Sequence, residues 1–371
     1  MDSRVEGTIY QVLLLLFMVG AYFNLKNNSY KTYFNFICLS LLFQAIVIFQ
    51  QYLENPLEVF GIPLSFITYG EVSGIVGRAA FAASLMLPGV FIGFVGTSDK
   101  SIIIKTMSYL TIFFTTLAIS LTENRSSILA ATVGLTVFLF FNIKNIKRVV
   151  QIVGCIVIAN FGTNLFPNEL KENRSFTNSQ TLETRLEMWK IALKLLPSSW
   201  GFPIWGGGTG EFKLTIAKHL PARDLLTVLQ KEYAWQPNEN ISKIELISPQ
   251  NAPIRQKTYK VTYKDGTSKF AFQVIDRAHN FFLDRIYSIG LLGAVLWIIF
   301  YTYPIFAYFR LRPEQKTTEI QVLVASLVAI QVYHIFWFSV MQVEPIHVVI
   351  ALMAWVRIQK PQPNLSAATM T

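Results

Sequence analysis

Three short stretches of the 371-residue chain carry side chains able to grip an anion and move a proton. The first is Thr122-Glu123-Asn124-Arg125-Ser126-Ser127. The second runs from Thr184 through Arg185, Glu187, Trp189 and Ala192, then past Pro197 into Gly201-Phe202-Pro203-Ile204-Trp205-Gly206-Gly207-Gly208-Thr209-Gly210-Glu211-Phe212. The third is Asp276-Arg277-Ala278-His279-Asn280, running on to Gly290-Leu291-Leu292-Gly293. Arg125 and Arg185, with Arg78 as a third, offer permanently charged planar forks that hold phosphate oxygens in pairs. The imidazole of His279 can accept or orient a hydroxyl proton. Asp276 or Glu187 could fix its tautomer. No Asp-x-Asp pair or His/Asp/Glu cluster at metal-ligand spacing occurs between Pro167 and Phe282. Neutralisation therefore falls to the arginines, and metal-independent chemistry with no cofactor is expected.

What positions these residues is a set of apolar runs. Hydrophobic residues make up 52% of the chain and charged residues 15%, with mean hydropathy +0.42. Soluble domains carry about 25% charge. The expected fold class is an all-α polytopic membrane protein with about nine transmembrane helices, a crossing taking roughly 20 apolar residues. The runs are approximately Thr8–Leu25, Thr32–Tyr52, Gly74–Val95, Ile102–Leu121, Ser127–Phe141, Val149–Phe166, Leu283–Tyr303, Ile320–Val340 and Pro345–Val356. Val59–Tyr69 is too short to cross, and its Gly61 and Pro63 fit an interfacial or re-entrant piece. The first run lacks a basic n-region beyond Arg4 and a small-residue cleavage site, so it reads as a retained helix. Cys38 and Cys155 fall inside apolar runs and point to neither a disulfide framework nor a thiolate metal site. The net charge of +10 sits in short clusters between runs. No basic stripe with interleaved aromatics is present, which argues against nucleic acid.

Those clusters set an orientation. Lys26, Lys31, Lys100, Lys105, Lys144, Lys147, Arg148, Arg310, Arg312, Lys316, Arg357 and Lys360 fall on one side of the alternating runs. The other side offers Arg4 and Arg125, with Glu54 and Glu58. The positive-inside rule makes the first set cytoplasmic and the N-terminus external. The chain then divides into N-terminal transmembrane helices at 1–166, a large external loop at 167–282, C-terminal transmembrane helices at 283–358 and a polar cytoplasmic tail at 359–371. The loop shows a helical pattern over Leu182–Leu196. It also shows a β-hairpin, Lys257–Tyr263 with Lys269–Ile275, around Lys264-Asp265-Gly266-Thr267.

Each stretch alone has an ordinary explanation. Arg125 at a membrane boundary would snorkel to headgroups. Arg185 and Glu187 would suit an amphipathic helix lying on the surface. A single His at the mouth of a helix is commonly a satisfied polar group. Gly206–Gly210 lacks the following Lys-Ser/Thr and a clear preceding strand, so a P-loop is rejected. Yet all three stretches fall on the external side of a topology assigned without them.

Together they resemble the O-antigen ligase/polymerase superfamily, membrane transferases that move glycans from undecaprenyl diphosphate. Its pattern has an Arg-Ser/Gly pair opening a span, an R-L-x-x-W-x-x-A run closing on spaced glycines, and an His-Asn pair before a span reading G-L-x-G. Here these are Arg125-Ser126, Arg185 to Ala192, Gly206 to Phe212, and His279-Asn280 before Gly290 to Gly293. The resemblance covers roughly Glu71 to Trp297. It departs at Glu71-Val72-Ser73-Gly74 and Gly77-Arg78, where the family's basic group is shifted to Arg78. The hairpin looks like a private insertion, and the spans are fewer than the family's usual dozen or so.

The resemblance implies an inverting transfer at the periplasmic face of the bacterial inner membrane. Arg125 and Arg185 would hold the leaving diphosphate and His279 would handle the acceptor proton. Arg78, Glu187, Trp189, Gly208, Gly210 and Asn280 would line the substrate. Implied partners are an undecaprenyl-diphosphate-linked glycan donor, a lipid A core or growing glycan acceptor, and membrane lipids. A repeat-unit polymerase is the nearest alternative. A small-solute, bicarbonate-like transporter is the second, set back by spans nearly free of mid-membrane charge and by the lack of an inverted repeat.

Overall fold

The computed structural model describes residues 3–27, 30–53, 58–59, 62–63, 72–76, 78–165, 180–199, 201–208, 210–221, 224, 227–228, 240–247, 258–272, 277–337 and 342–359. Its helices are α1 Ser3–Asn27, α2 Tyr30–Tyr52, α3 Ala79–Gly96, α4 Ile102–Leu121, α5 Arg125–Asn142, α6 Ile146–Leu165, α7 Gln180–Leu195, α8 Glu211–His219, α9 Phe281–Arg310, α10 Thr318–Phe336 and α11 Glu344–Gln359. Among the described residues seven of these, α2 to α6, α9 and α10, are long and apolar enough to cross a membrane. The chain is thus an all-α polytopic membrane protein with one small sheet. It divides into two compact units. One holds Met1–Val12, Arg174–Ile298 and His334–Phe338; the other holds Leu13–Asn173, Ile299–Tyr333 and Ser339–Thr371.

In the second unit, lipid gives helices no hydrophobic reason to associate, so small residues bring backbones close. Gly89, Gly93 and Gly96 of α3 face Thr115, Ile112 and Ser108 of α4. A Cβ on Gly93 would lie 2.8 Å from the Ser108 carbonyl oxygen. Gly134 of α5 does the same against α10, where a Cβ would meet that of Ala329 at 2.8 Å. The buried hydroxyls of Thr115 and Thr116 donate back to the Thr111 and Ile112 carbonyls, at 2.6 Å each, so both are satisfied within their own helix. At the start of α6, Arg148 donates to Asn142 Oδ1 at 2.8 Å and Thr318 Oγ1 at 2.9 Å, joining three helices. Lys31 pairs with Asp99 at 2.7 Å, and that bond holds the Asp99 carboxyl below its ordinary range.

The expected third span begins later than its apolar pattern. Gly74–Val76 is a separate 3-10 turn, with Gly74 left-handed at φ +57°. Gln51 Oε1 accepts the Ser73 and Gly74 amides at 2.9 and 2.7 Å, and the helix proper starts after an extended Arg78. Of the short piece expected at Val59–Tyr69, Val59 pairs with Ile62 in a two-residue hairpin, and 64–71 lie outside the described residues.

The other unit is built on a sheet and three helices. The expected hairpin is present as Thr258–Tyr263 paired with Ser268–Phe272. Asp265 Oδ1 accepts the Thr267 amide at 2.9 Å and Gly266 is left-handed, as an Asp-Gly turn requires. The sequence missed a third strand, Ile241–Leu246, antiparallel to Thr258–Tyr263 with a register shift between Ile241 and Lys243. One sheet face puts Val261 and Tyr263 into a core with Met188, Ile191, Ala192 and Leu195 of α7, Phe212 and Ile216 of α8, and Tyr287 of α9. Burial pushes the Tyr263 phenol up, with nearby Asp265 adding to the shift.

Helix α9 is broken at Gly290 (φ 72°, ψ 177°). The break separates Tyr287 and Ser288 carbonyls from their usual helical donors, and the glycine loop supplies replacements. Gly207 N–H donates to Tyr287 O at 2.8 Å and Gly208 N–H to Ser288 O at 2.9 Å. In return Leu291 N–H donates to Pro203 O at 2.7 Å. Contact is so close that a Cβ on Gly290 would lie 2.0 Å from Ile204 O, and one on Gly206 2.4 Å from Gly290 N. Gly290→Ala should therefore destabilise by more than the about 1–3 kcal/mol of a strained dihedral alone. Gly154→Ala, which meets nothing within 4 Å, is the control. Equal melting temperatures for the two variants in detergent would show that the docking is not tight.

Candidate functional site

His279 sits in the turn that opens α9, itself left-handed at φ 52°. Asn280 caps the helix: its Oδ1 accepts the Leu283 amide and its carbonyl accepts the Asp284 amide, both at 3.0 Å. Asp284 reaches back to accept the Ala278 amide on Oδ1 at 3.1 Å. The histidine is thus held between two buried polar residues whose bonds fix the backbone on either side.

Its imidazole meets the Trp337 ring edge-on, with centroids 4.9 Å apart and planes at 69°. The same indole lies under the Arg185 guanidinium, whose Cζ is 4.9 Å from the ring centroid. One turn along α7, Trp189 packs on Phe336 at 6.3 Å. Asn280 Nδ2 donates to the Ile335 carbonyl at 2.9 Å, and His334 stacks on Phe281 at 4.1 Å and 10°. Tyr287 locks α7 to α9, donating to Ala192 O at 2.6 Å. Two of the expected catalytic residues, Arg185 and His279, are brought onto one aromatic ring, with Trp189 and Asn280 beside them.

Sequence reasoning missed that ring. His334-Ile335-Phe336-Trp337 fell inside one long expected span, where apolarity hid a change of character from aliphatic to aromatic and titratable. An intramembrane His followed by two aromatics was the available signal. Arg285 was missed too. It is buried, with its guanidinium 4.9 Å from the Phe281 and Trp297 ring centroids.

The remaining expected residues are placed differently. Glu187 lies roughly 200° around α7 from Arg185 and accepts from Lys190 at 3.0 Å. Gly208 and Gly210 belong to the docking of the glycine loop: the Gly208 amide is bonded to Ser288, and Gly210, at φ 90°, starts α8. That use of the amides gives the glycines a packing role, in keeping with the rejected P-loop. Buried Glu211 accepts from Thr215 at 3.0 Å and packs against the bare face of Gly207. Arg125 and Arg78 belong to the other unit. Arg125 is the first residue of α5, capped by Asn124, whose Oδ1 accepts from Ser127 N and Oγ at 2.9 Å each. Arg78 is exposed, and its carbonyl accepts the Phe81 and Ala82 amides. Asp276 lies outside the described residues. Among the described residues no three His, Cys, Asp or Glu side chains gather as a metal ion would need.

Membrane-crossing helices, with an arginine and a histidine held on one tryptophan, define the class as a polytopic membrane protein with a polar site framed by aromatic rings. Residues 110–233 match the family model described as O-antigen ligase, which supports membership of the O-antigen ligase/polymerase superfamily. No curated protein matches the chain. The matched region includes Arg125, Arg185, Glu187, Trp189, Gly208 and Gly210, while Arg78, His279 and Asn280 lie beyond it.

If the indole joins Arg185 energetically, a double-mutant cycle of Arg185→Met and Trp337→Leu should give a coupling of about 0.5–2 kcal/mol in reversible unfolding in mixed micelles. Additive losses would show a contact without energetic content.

Proposed function

We propose that the protein is an O-antigen ligase-like glycosyltransferase acting on a glycan carried by undecaprenyl diphosphate. The observation that carries this is the Arg185–Trp337–His279 arrangement, whose arginine falls within the family match. In the proposed step the acceptor hydroxyl oxygen attacks the anomeric carbon as the bond from that carbon to the diphosphate oxygen breaks. The diphosphate departs with the electron pair, and His279 takes the hydroxyl proton. Direct displacement inverts the anomeric centre. Arg185 neutralises the developing charge through a fork that stays protonated. Arg125 is proposed, on the family resemblance, as a further anion-binding residue, at a helix start whose amides favour negative charge.

Trp337 gives the pair its geometry: a cation on the ring face and an imidazole against the ring keep the anion-holding and proton-accepting groups at a fixed spacing. Asn280 and Trp189 act one step back, through Ile335 and Phe336. The acceptor is proposed to be a lipid A core. A growing glycan is the alternative, which would make the protein a repeat-unit polymerase using the same step. Nothing in the family match supports a transporter. The basic loops support a periplasmic site at the bacterial inner membrane.

His279→Ala should cut transfer by roughly 10²–10⁴, the worth of an acid–base group, while donor binding and protein level hold. Arg185→Lys and Arg125→Lys should each be severe, because charge stays and the paired fork is lost. Transfer should survive EDTA. A glycan ladder assay in cells, with detergent-purified protein for donor binding, reads all of these. Wild-type transfer by His279→Ala would refute the mechanism, and equal loss of folded protein would return the residues to a packing role.

The orientation is tested separately. Reporters fused after Lys147 should be cytoplasmic and those near Gln250 external. A cytoplasmic signal at Gln250 would overturn the assigned side.

A further inference from the structure

The glycine loop carries at its tip a feature that neither the proposed chemistry nor the docking on α9 uses. Ile204 is 51% and Trp205 77% exposed, large apolar side chains at the point of a loop otherwise anchored by backbone. The anchor fixes their level along a membrane helix. Pro203 O is bonded to Leu291 N, and Ile204 O lies against Gly290.

That level coincides with where the hydrocarbon begins. From Gly290 to Arg310 runs an uncharged stretch of about twenty residues, the length of one bilayer crossing. Before it, α9 carries the buried Asp284 and Arg285, which belong above the hydrocarbon. Just past Gly290, Leu291, Leu292 and Leu296 are 48, 58 and 59% exposed, the bare apolar surface of a helix whose solvent is lipid. The tip thus stands beside the first lipid-facing turn. An indole with an apolar body and one N–H donor is the side chain most suited to the headgroup boundary.

We propose that Phe202–Trp205 is an interfacial lipid contact, with Ile204 and Trp205 seated among headgroups and upper acyl chains of the bilayer. Its occupant is bilayer lipid, because the exposed tip continues the exposed leucine face of the span without a change in chemistry. The loop's backbone bonds to Tyr287 and Ser288 then tie the start of α9 to the membrane boundary, setting the height of the His279 turn above it. The proposal does not depend on glycan transfer.

The test places a nitroxide on Trp205→Cys and, separately, on Ile204→Cys, in nanodiscs of phosphatidylethanolamine and phosphatidylglycerol. Cys38 and Cys155 are buried, so labelling is directed to the new thiol. Power saturation compares collisions with oxygen, which partitions into lipid, and with a water-soluble nickel chelate. Leu292→Cys gives the lipid reference and Asp265→Cys, on the exposed hairpin turn, the aqueous one. The expected result is an oxygen-to-nickel ratio several-fold above that of Asp265→Cys and approaching that of Leu292→Cys at both tip positions. A ratio equal to the aqueous reference would overturn the proposal. So would low collision with both probes, which would mean that protein covers the tip. Because Ile204→Cys keeps the indole, it decides the matter even if Trp205→Cys folds poorly.

Discussion

The hydrogen-bond exchange at Gly290 is the constraint on which the site depends. A helix entering a membrane cannot leave carbonyls unmet, since an unsatisfied backbone group in hydrocarbon costs several kcal/mol by rough estimate. The break in α9 creates that debt at Tyr287 and Ser288, and the amides of Gly207 and Gly208 settle it while Pro203 O receives the displaced Leu291 amide. Only glycines allow the approach, because any Cβ at Gly206 or Gly290 would fall inside backbone atoms. The glycine loop is therefore the clamp that fixes α7 and α8, its sequence neighbours, onto the start of α9. Tyr287 extends the clamp by reaching the Ala192 carbonyl. Arg185 on α7 and His279 ahead of α9 meet because their helices have no freedom to slide.

How much of this the sequence revealed follows from the physics of each feature. The all-α membrane class was legible because apolarity over twenty residues has no other use, though of the nine expected spans seven are long and apolar enough to cross among the described residues. The hairpin was legible because Asp-Gly between alternating strands has few alternatives. Arg185, His279 and Asn280 were singled out through motif order, and the structure places them around one tryptophan. The third strand, Ile241–Leu246, was not. Its Lys243 and Glu245 face outward in polar alternation that a surface loop would share, and it exists only through pairing with Thr258–Tyr263. Trp337 was hidden for the opposite reason: hydropathy registers an indole as one more apolar residue, and cannot register what lies above its face. The purpose of the glycine loop was invisible, since the break at Gly290 is tertiary. Its ψ of 177° reflects the docked loop, and no local pattern announces it.

His279 shows what that rigidity makes possible. A residue with a Cβ at φ 52° is held in a region that such residues disfavour, and strain of this kind persists only where surroundings over-determine it. Here the surroundings are explicit: the Asn280 cap ahead, the Asp284 bond to Ala278 behind, and Ile335 holding the Asn280 amide from the side. Relaxing His279 into an ordinary helical conformation would carry its ring away from Trp337 and break the cap. The turn is thus stiff, as the proposed role of His279 in taking the acceptor proton would require, since a misplaced base loses rate far faster than it loses binding. Arg285 supports the same turn by covering Phe281, which also stacks on His334 and meets Trp297 edge-on. The aromatic residues around His279 therefore act as a frame, with the cations on their faces, and the frame is complete only when the residues at the end of α10 join the start of α9.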